Sequence, residues 1–274
     1  MTEHDHGHDH GDLHAENLGD SAGQPWAGRS FTENPHAEDS GEIDPVLRGA
    51  LTAFREGRAS QADVVDALRS ARLLIPLLAE LGDEGPDTAD AGDAGKRVDK
   101  SQELSIVTVA GPDGRTVLPV FSSVAAMGLW NPTARPVPAD GIRVALAAAS
   151  EQTDVVVLDA GSEARFVVRR PALWAMAKQE PWVPAAESAD VVAEFERSTA
   201  GEPVVVGVAI EAGDPQAVLA GPELIVRLAL QPGLDATALH ELLARLADRW
   251  AESELIAAAV DSVEVALRSA VPPV

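Results

Sequence analysis

The chain has 274 residues, no cysteine and a formal net charge of −23, and aromatic residues make up only 4% of it. This length is enough for one large domain or two small ones. The lack of cysteine excludes disulfides and thiol nucleophiles, and the negative charge disfavours nucleic acid and anionic membranes as partners. No apolar run reaches the roughly 18 residues of a membrane-spanning helix, and the start of the chain is unlike a signal peptide. We therefore expect a cytoplasmic protein.

Residues 1–44 form an acidic, histidine-rich segment with a net charge of −10 and no apolar periodicity. Such a segment cannot bury enough apolar surface to fold, so we expect a disordered tail. Imidazole and carboxylate groups are good ligands for Zn²⁺ and Ni²⁺, which predicts weak binding of these metals by the tail and no other cofactor. The alternative is a solvated tail without a metal role. The candidate ligands are His4, His6, His8, His10 and His14.

Two amphipathic helices are predicted to follow the tail. Asp44 can cap the first helix, and Pro45 fits its first position, where the missing N–H costs nothing. Gly57 is predicted to end it. Ser60 can cap the second helix, and Asp63 three residues later completes a capping box.

Strand-like and acidic segments come next. The run 73–81 is predicted to be a strand, and Pro76, which cannot donate an N–H, predicts that it lies at a sheet edge or carries a bulge. The low-complexity segment 82–102 is predicted to be a long acidic loop. Around a Gly-Pro-Asp-Gly turn, the runs 103–110 and 115–123 are predicted to form a hairpin.

Helices and strands then alternate up to residue 179. A short helix, a Pro-rich loop, a helix, two strands and a helix are predicted in that order. The predicted ranges are 125–130, 130–138, 142–152, 154–160, 164–170 and 171–179. The continuous apolar run V-V-V-L indicates a strand that is covered on both faces.

The last third of the chain reads as a smaller α/β unit over 203–274, after a linker over 183–202 in which a short helix is predicted at 191–198. Strands are predicted at 203–212 and 223–230, and a helix capped by Asp235 follows them. The predicted fold class is α/β, with mixed sheets and flanking helices. Its larger domain spans 45–182.

Five short motifs occur in order between Leu47 and Trp182. They are A-L-R-S-A-R-L-L-I-P-L at 67–77, D-G-R-x-x-L-P-V-F-S-S at 113–123, W-N-P-T-A-R-P-V-P at 130–138, V-V-V-L-D at 155–159 and F-V-V-R-R at 166–170. In their order and spacing they resemble the SseB family, named for enhanced serine sensitivity, whose members more often carry Thr at the position of Ser122. The resemblance implies an α/β fold, a cytosolic bacterial protein and no established enzyme activity. Residues 203–274 resemble, less closely, the smaller C-terminal unit that many members carry.

The P-V-F-S-S run is the first candidate site, because Phe121, Ser122 and Ser123 fall where a strand gives way to a helix. Backbone N–H groups at a helix N-terminus can hold an anion. The simpler interpretation, which we favour, is that Ser123 caps the helix. No Gly-x-Ser-x-Gly motif surrounds either serine, which argues against a hydrolase nucleophile.

Three further positions are candidates. Arg135, between prolines and close to Trp130, presents a partner surface or belongs to a loop that Trp130 clamps on the core; we favour the loop. Asp159 ends a buried strand, where α/β folds place site residues, or it caps the turn into Gly161, and both interpretations stay open. The pair at 169–170 is interpreted as a solvated strand end.

An interaction or regulatory module without catalysis is the leading functional hypothesis, with a protein partner of unknown identity. Its predicted working surface consists of Phe121, Ser122, Ser123, Trp130, Arg135 and Asp159. One alternative is a sensor or enzyme that holds a small ligand or anion at the two serines. Another is metal handling by the tail. His240 is the only histidine outside the tail, so any histidine-dependent catalytic relay would depend on it.

Overall fold

The predicted N-terminal helices begin at their predicted caps in the computed structural model, which describes residues 39–79, 104–111 and 114–269. The Asp44 carboxylate accepts hydrogen bonds from the N–H groups of Val46 and Leu47 at 2.8 and 3.1 Å. Ser60 and Asp63 form the predicted capping box, in which the Ser60 N–H donates to the Asp63 carboxylate at 2.7 Å. The tail histidines and the loop 82–102 lie outside the described residues.

Helices and strands follow one another through the described residues. The helices are α1 (Pro45–Arg55), α2 (Gln61–Ser70), α3 (Val124–Trp130), α4 (Gly141–Ser150), α5 (Arg170–Lys178), α6 (Ala189–Ser198), α7 (Ala236–Glu252) and α8 (Glu254–Ala259). The strands are β1 (Arg72–Ala79), β2 (Leu104–Ile106), β3 (Val109–Ala110), β4 (Thr116–Val120), β5 (Arg135–Asp140), β6 (Val155–Leu158), β7 (Phe166–Arg169), β8 (Val205–Ala212), β9 (Leu224–Leu230) and β10 (Val263–Ser269).

The described strands form three sheets, and the predicted mixed α/β fold is confirmed. β1 lies between β2 and β5 in an antiparallel sheet. β3, β4, β6 and β7 form a second sheet in that order, in which β4 and β6 run parallel. A bridge between Leu74 and Phe121 connects these two sheets. In the third sheet, β9 pairs with β8 antiparallel and with β10 parallel.

The prediction of an edge strand at Pro76 is wrong, because β1 has a partner on each side. Pro76 lies opposite Pro136 of β5. Since neither proline has an N–H, the pair occupies a position at which an antiparallel ladder needs no hydrogen bond. On the other side, β2 pairs with β1 only from Leu77 onward. The register therefore admits a proline in a central strand.

The predicted hairpin is only partly present. β3 and β4 pair around the turn, with Val109 opposite Val117. The residues just before them form β2, which joins the other sheet by pairing with β1. The Pro-rich segment predicted as a loop contains β5, which pairs on one side only. An edge strand tolerates the missing N–H groups of Pro136 and Pro138.

The first hydrophobic core contains side chains from α1, α2, α4, α5 and the inner face of the four-stranded sheet. Phe54 of α1 packs edge-on against Phe166 of β7, with ring centroids 5.4 Å apart. Gly141 lets α4 start in contact with α2, since an added Cβ would lie 2.0 Å from the Leu68 carbonyl oxygen. β6 is buried on both faces, as its sequence predicts: Val156 belongs to this core and Val157 to a smaller cluster on the outer face.

The second core belongs to the C-terminal sheet and its helices. The predicted helix at 235–250 is confirmed as α7, and Asp235 caps it. The short helix predicted within the segment 183–202 is confirmed as α6, and its Phe195 is completely buried against the sheet. The rings of Phe195 and Trp250 lie 5.3 Å apart. This segment therefore packs as part of the C-terminal core.

Candidate functional site

The carboxyl ends of β4 and β6 meet because these two neighbouring strands run parallel, with Val120 opposite Leu158. Beyond them the chain enters two turns, one at Ser122 and one at Asp159. In α/β sheets, ligands are commonly bound at the carboxyl ends of parallel strands. The fold therefore brings together two of the candidates that the sequence placed 37 residues apart.

Ser122 and Asp159 make a buried two-point contact. The Ser122 N–H donates to one carboxylate oxygen of Asp159 and the Ser122 hydroxyl donates to the other, both at 2.8 Å. The Asp159 N–H donates to the Val120 carbonyl at 2.8 Å. Asp159 has a left-handed backbone conformation, with φ of +51°, which costs a residue other than glycine some free energy. Its two hydrogen bonds with Ser122 offset that strain and tie the two turns together.

The surroundings of Asp159 act on its pKa in opposite directions. Burial raises the pKa of Asp159, and this effect exceeds the lowering by the two Ser122 hydrogen bonds and by the Arg55 charge. Both carboxylate oxygens are already engaged by Ser122. His240, the one histidine among the described residues, lies on α7. The contact is thus suited to positioning the two turns.

Ser123 has a capping geometry. Its hydroxyl accepts a hydrogen bond from the Ala126 N–H at 3.1 Å and starts α3. The hydroxyl is used by its own helix, in agreement with the interpretation favoured from the sequence.

Ser123→Ala should lower the free energy of unfolding by about 1 kcal/mol, because the Ala126 N–H loses its acceptor. Urea denaturation followed by circular dichroism measures this change. Ser123→Asp keeps a capping carboxylate and should unfold near the wild-type midpoint. An unchanged midpoint for Ser123→Ala would contradict the capping role.

Trp130 is the last residue of α3, and its ring packs against the ring of the buried Phe121. The two rings lie 5.2 Å apart with a tilt of 37°. An added Cβ on Gly161, in the turn after Asp159, would lie 3.8 Å from the Trp130 ring. The preceding residue, Leu129, is 89% exposed. The two turns joined by the Ser122–Asp159 contact therefore support the Trp130 side chain, which follows the exposed Leu129 in the chain.

A cavity of about 460 Å³ opens beside Trp130, on the outer face of the four-stranded sheet. Aliphatic side chains provide most of its wall, and Arg165 is the one charged residue that lines it within the described part of the chain. Leu219, from the loop before β9, covers part of this face. The aliphatic residues of the wall include Val109, Val117, Val157, Val167, Val218 and Leu219.

The working surface predicted from the sequence needs correction, because three of its six residues are buried. Phe121, Ser122 and Asp159 are buried, so none of them can contact a partner directly. Arg135 is exposed but lies at the start of β5, opposite Leu77. Trp130 alone among the predicted residues lines the cavity.

Sequence reasoning missed a buried ion cluster that joins the end of β7 to the loops after β8 and before β10. Arg169 donates to the carboxylates of Asp214 and Asp261 at 2.9 and 3.0 Å. Arg115 donates to Asp261 at 2.9 Å. The interpretation of Arg169 as a solvated strand end is wrong, since this residue is only 7% exposed. The two consecutive arginines at 169–170 gave no indication of which carboxylates they meet. The partners of Arg169, Asp214 and Asp261, lie 45 and 92 residues further along the chain.

Glu223 lies beside this cluster. Its carboxylate accepts a hydrogen bond from the Asp261 N–H at 2.5 Å. Burial first, and then the charge of the neighbouring Asp261 carboxylate, raise the pKa of Glu223, which has a net value of about 7. The Asp261 N–H and the charges of Arg169 and Arg170 act in the opposite direction. Glu223 is therefore a carboxyl group that titrates near neutral pH in the folded chain.

The described ranges contain neither a cluster of metal ligands nor a membrane-spanning helix. No group of three or more histidine, aspartate or glutamate side chains there has the arrangement of a metal site. Within the same ranges, no helix combines the length and apolar character needed to cross a membrane.

Comparison with known proteins identifies the first core and its sheets. Residues 47–175 match the SseB protein N-terminal domain. No curated protein and no solved structure matches the chain. The matched range runs from α1 into α5 and contains the Ser122–Asp159 contact, Trp130 and Arg169. The chain therefore contains an SseB protein N-terminal domain, over residues 47–175.

Proposed function

We propose that this protein is a non-catalytic interaction module that binds a partner protein at the cavity beside Leu129 and Trp130. The observation that carries the proposal is the largely aliphatic cavity of about 460 Å³ that Trp130 lines, together with Leu129, which directly precedes Trp130 in the chain and is 89% exposed. A cavity of this size accommodates one or two apolar side chains. Contiguous apolar surface on a protein commonly marks an interaction site.

The partner is expected to insert an apolar side chain that is followed by a carboxylate. Arg165 brings a positive charge to the cavity wall, and a guanidinium pairs well with a carboxylate. Its Nε donates to the Val218 carbonyl at 3.2 Å, which holds the guanidinium at the rim. Charge complementarity therefore favours an acidic apolar segment over a basic one.

The Ser122–Asp159 contact supports binding over catalysis. Its groups satisfy one another and are buried, so they act as positioning residues for Trp130. An anion held by Ser122 and Ser123 has less support, because both hydroxyls already serve the fold. Metal binding by the tail and a cytoplasmic location remain expectations from the sequence.

Leu129→Asp should weaken binding of the partner, because a charge at this position opposes apolar contact. The matched control is Leu146→Asp on α4, where the leucine is also exposed, at 54%. Wild type and both variants are used as baits in a lysate of the native cell. A purified candidate is then titrated against each bait.

The expected result is one partner retained by wild type and Leu146→Asp and bound at least about tenfold more weakly by Leu129→Asp. The proposal fails if Leu129→Asp binds like wild type, or if both variants lose the partner equally.

A further inference from the structure

We propose a second binding site, for a small organic anion with an apolar body, in the cleft between α1 and the turn that joins β6 to β7. The cleft has a volume of about 440 Å³, within the range of small-molecule sites. It is a neighbour of the cavity beside Trp130 and shares Arg165 with it. Arg55 lines the cleft and does not line the cavity.

The interior of the cleft is apolar. Four of its lining side chains are apolar and large: Leu51 and Phe54 of α1, Phe166 of β7, and Val218. Leu51 and Phe166 are buried, and the Phe54 ring meets the Phe166 ring edge-on. An aromatic or branched aliphatic body can therefore be enclosed by side chains that the first core already holds in place.

Two arginines provide the charge. The Arg55 Nη2 donates to the Ala164 carbonyl at 2.7 Å, and the Arg165 Nε donates to the Val218 carbonyl at 3.2 Å. These backbone contacts position both guanidinium groups. Within the described parts of the chain, neither group forms an ion pair, and the Arg55 Nη1 and Nε and the Arg165 Nη2 have no acceptor.

The charge balance of the cleft favours an anion. Among the described residues, Glu163 is the single carboxylate that lines it, against the two guanidinium groups. In a chain with a net charge of −23, most described arginines are paired with carboxylates, as Arg169 and Arg245 are. Positioned guanidinium donors with unused N–H groups bind carboxylate, sulfonate or phosphate oxygens through charge-assisted hydrogen bonds. The structure thus joins an apolar pocket to an anion-binding rim.

The test uses a probe with both properties. 8-Anilinonaphthalene-1-sulfonate is an aromatic anion, and N-phenyl-1-naphthylamine has the same aromatic body without the sulfonate. Each is titrated by fluorescence into the full chain, Arg55→Gln, Arg55→Lys and Arg135→Gln. Arg135 is an exposed arginine on β5, away from the cleft lining, and serves as the matched control.

Arg55→Gln should weaken binding of the sulfonate about tenfold and leave binding of the neutral probe within about twofold of wild type. Arg55→Lys should restore most of the sulfonate affinity because it keeps the charge, and Arg135→Gln should match wild type. The proposal is overturned if wild type does not bind the sulfonate, if Arg55→Gln binds it like Arg135→Gln, or if Arg55→Gln loses both probes equally. The last result would indicate damage to the apolar pocket in place of a lost charge.

Discussion

Arg169→Ala should lower the free energy of unfolding by roughly 3 to 5 kcal/mol, the range for removing one partner of a buried ion pair. The side chains of Asp214 and Asp261 are only 3% and 2% exposed. Without Arg169 their carboxylates keep fewer donors in a position that water does not reach, and an uncompensated buried charge is costly. The loss also frees the Gly221 carbonyl, which now accepts from Arg169 at 2.8 Å.

Urea denaturation of wild type and variant measures this change. The matched control is Arg227→Ala, which breaks the ion pair with Glu211 at a half-exposed site and should cost about 1 kcal/mol or less. Equal losses for Arg169→Ala and Arg227→Ala would show that the cluster contributes no more than a surface pair. A large loss for Arg169→Ala alone would establish that the SseB domain and the C-terminal sheet stabilise each other through these charges.

Glu223→Gln should remove a pH dependence of stability between about pH 4.5 and pH 8. Burial, with a contribution from Asp261, raises the pKa of Glu223 to about 7 from an ordinary value of 4.5. Between these values the folded chain keeps a proton that the unfolded chain has lost. This group therefore favours folding fully only below about pH 4.5, and its contribution is lost as the pH rises through about 7.

The expected difference in unfolding free energy between wild type and Glu223→Gln follows from the size of the pKa shift of Glu223. Relative to Glu223→Gln, wild type should lose about 3 kcal/mol of unfolding free energy from about pH 4.5 to pH 8. Glutamine keeps an oxygen that can accept from the Asp261 N–H, so the two proteins should be similar at the acidic end. Urea denaturation at both pH values gives the gap, and Glu264→Gln at an exposed position of β10 is the control. A gap that does not change with pH would mean that Glu223 is ionised in the folded chain throughout.

Local signals in the sequence were sufficient for the helices and for most strands. Asp44, Ser60, Ser123 and Asp235 cap the helices they were expected to cap. A cap satisfies N–H groups two or three residues away, so the information lies within one turn of the chain. The burial of β6 on both faces follows equally from its own apolar run.

The sheet memberships could not be read from the same signals. Pro76 entered a central strand because Pro136 faces it, and a register between distant segments leaves no mark in either one. β2 and β3 are separated by two residues but join different sheets. Turn residues specify where a chain reverses, and they do not specify which neighbour each strand then finds.

The candidate site, too, was predicted from the sequence only in part. The sequence indicated Ser122, Trp130 and Asp159 from their places at strand and helix ends, and family motifs contain all three. Tertiary structure alone decided that Asp159 is buried against Ser122, that Leu219 and Arg165 complete the cavity, and that Arg169 meets Asp214 and Asp261. Capping and periodicity act over a few residues of backbone, whereas the burial of charge depends on groups that are distant in the chain and become neighbours only when the cores pack.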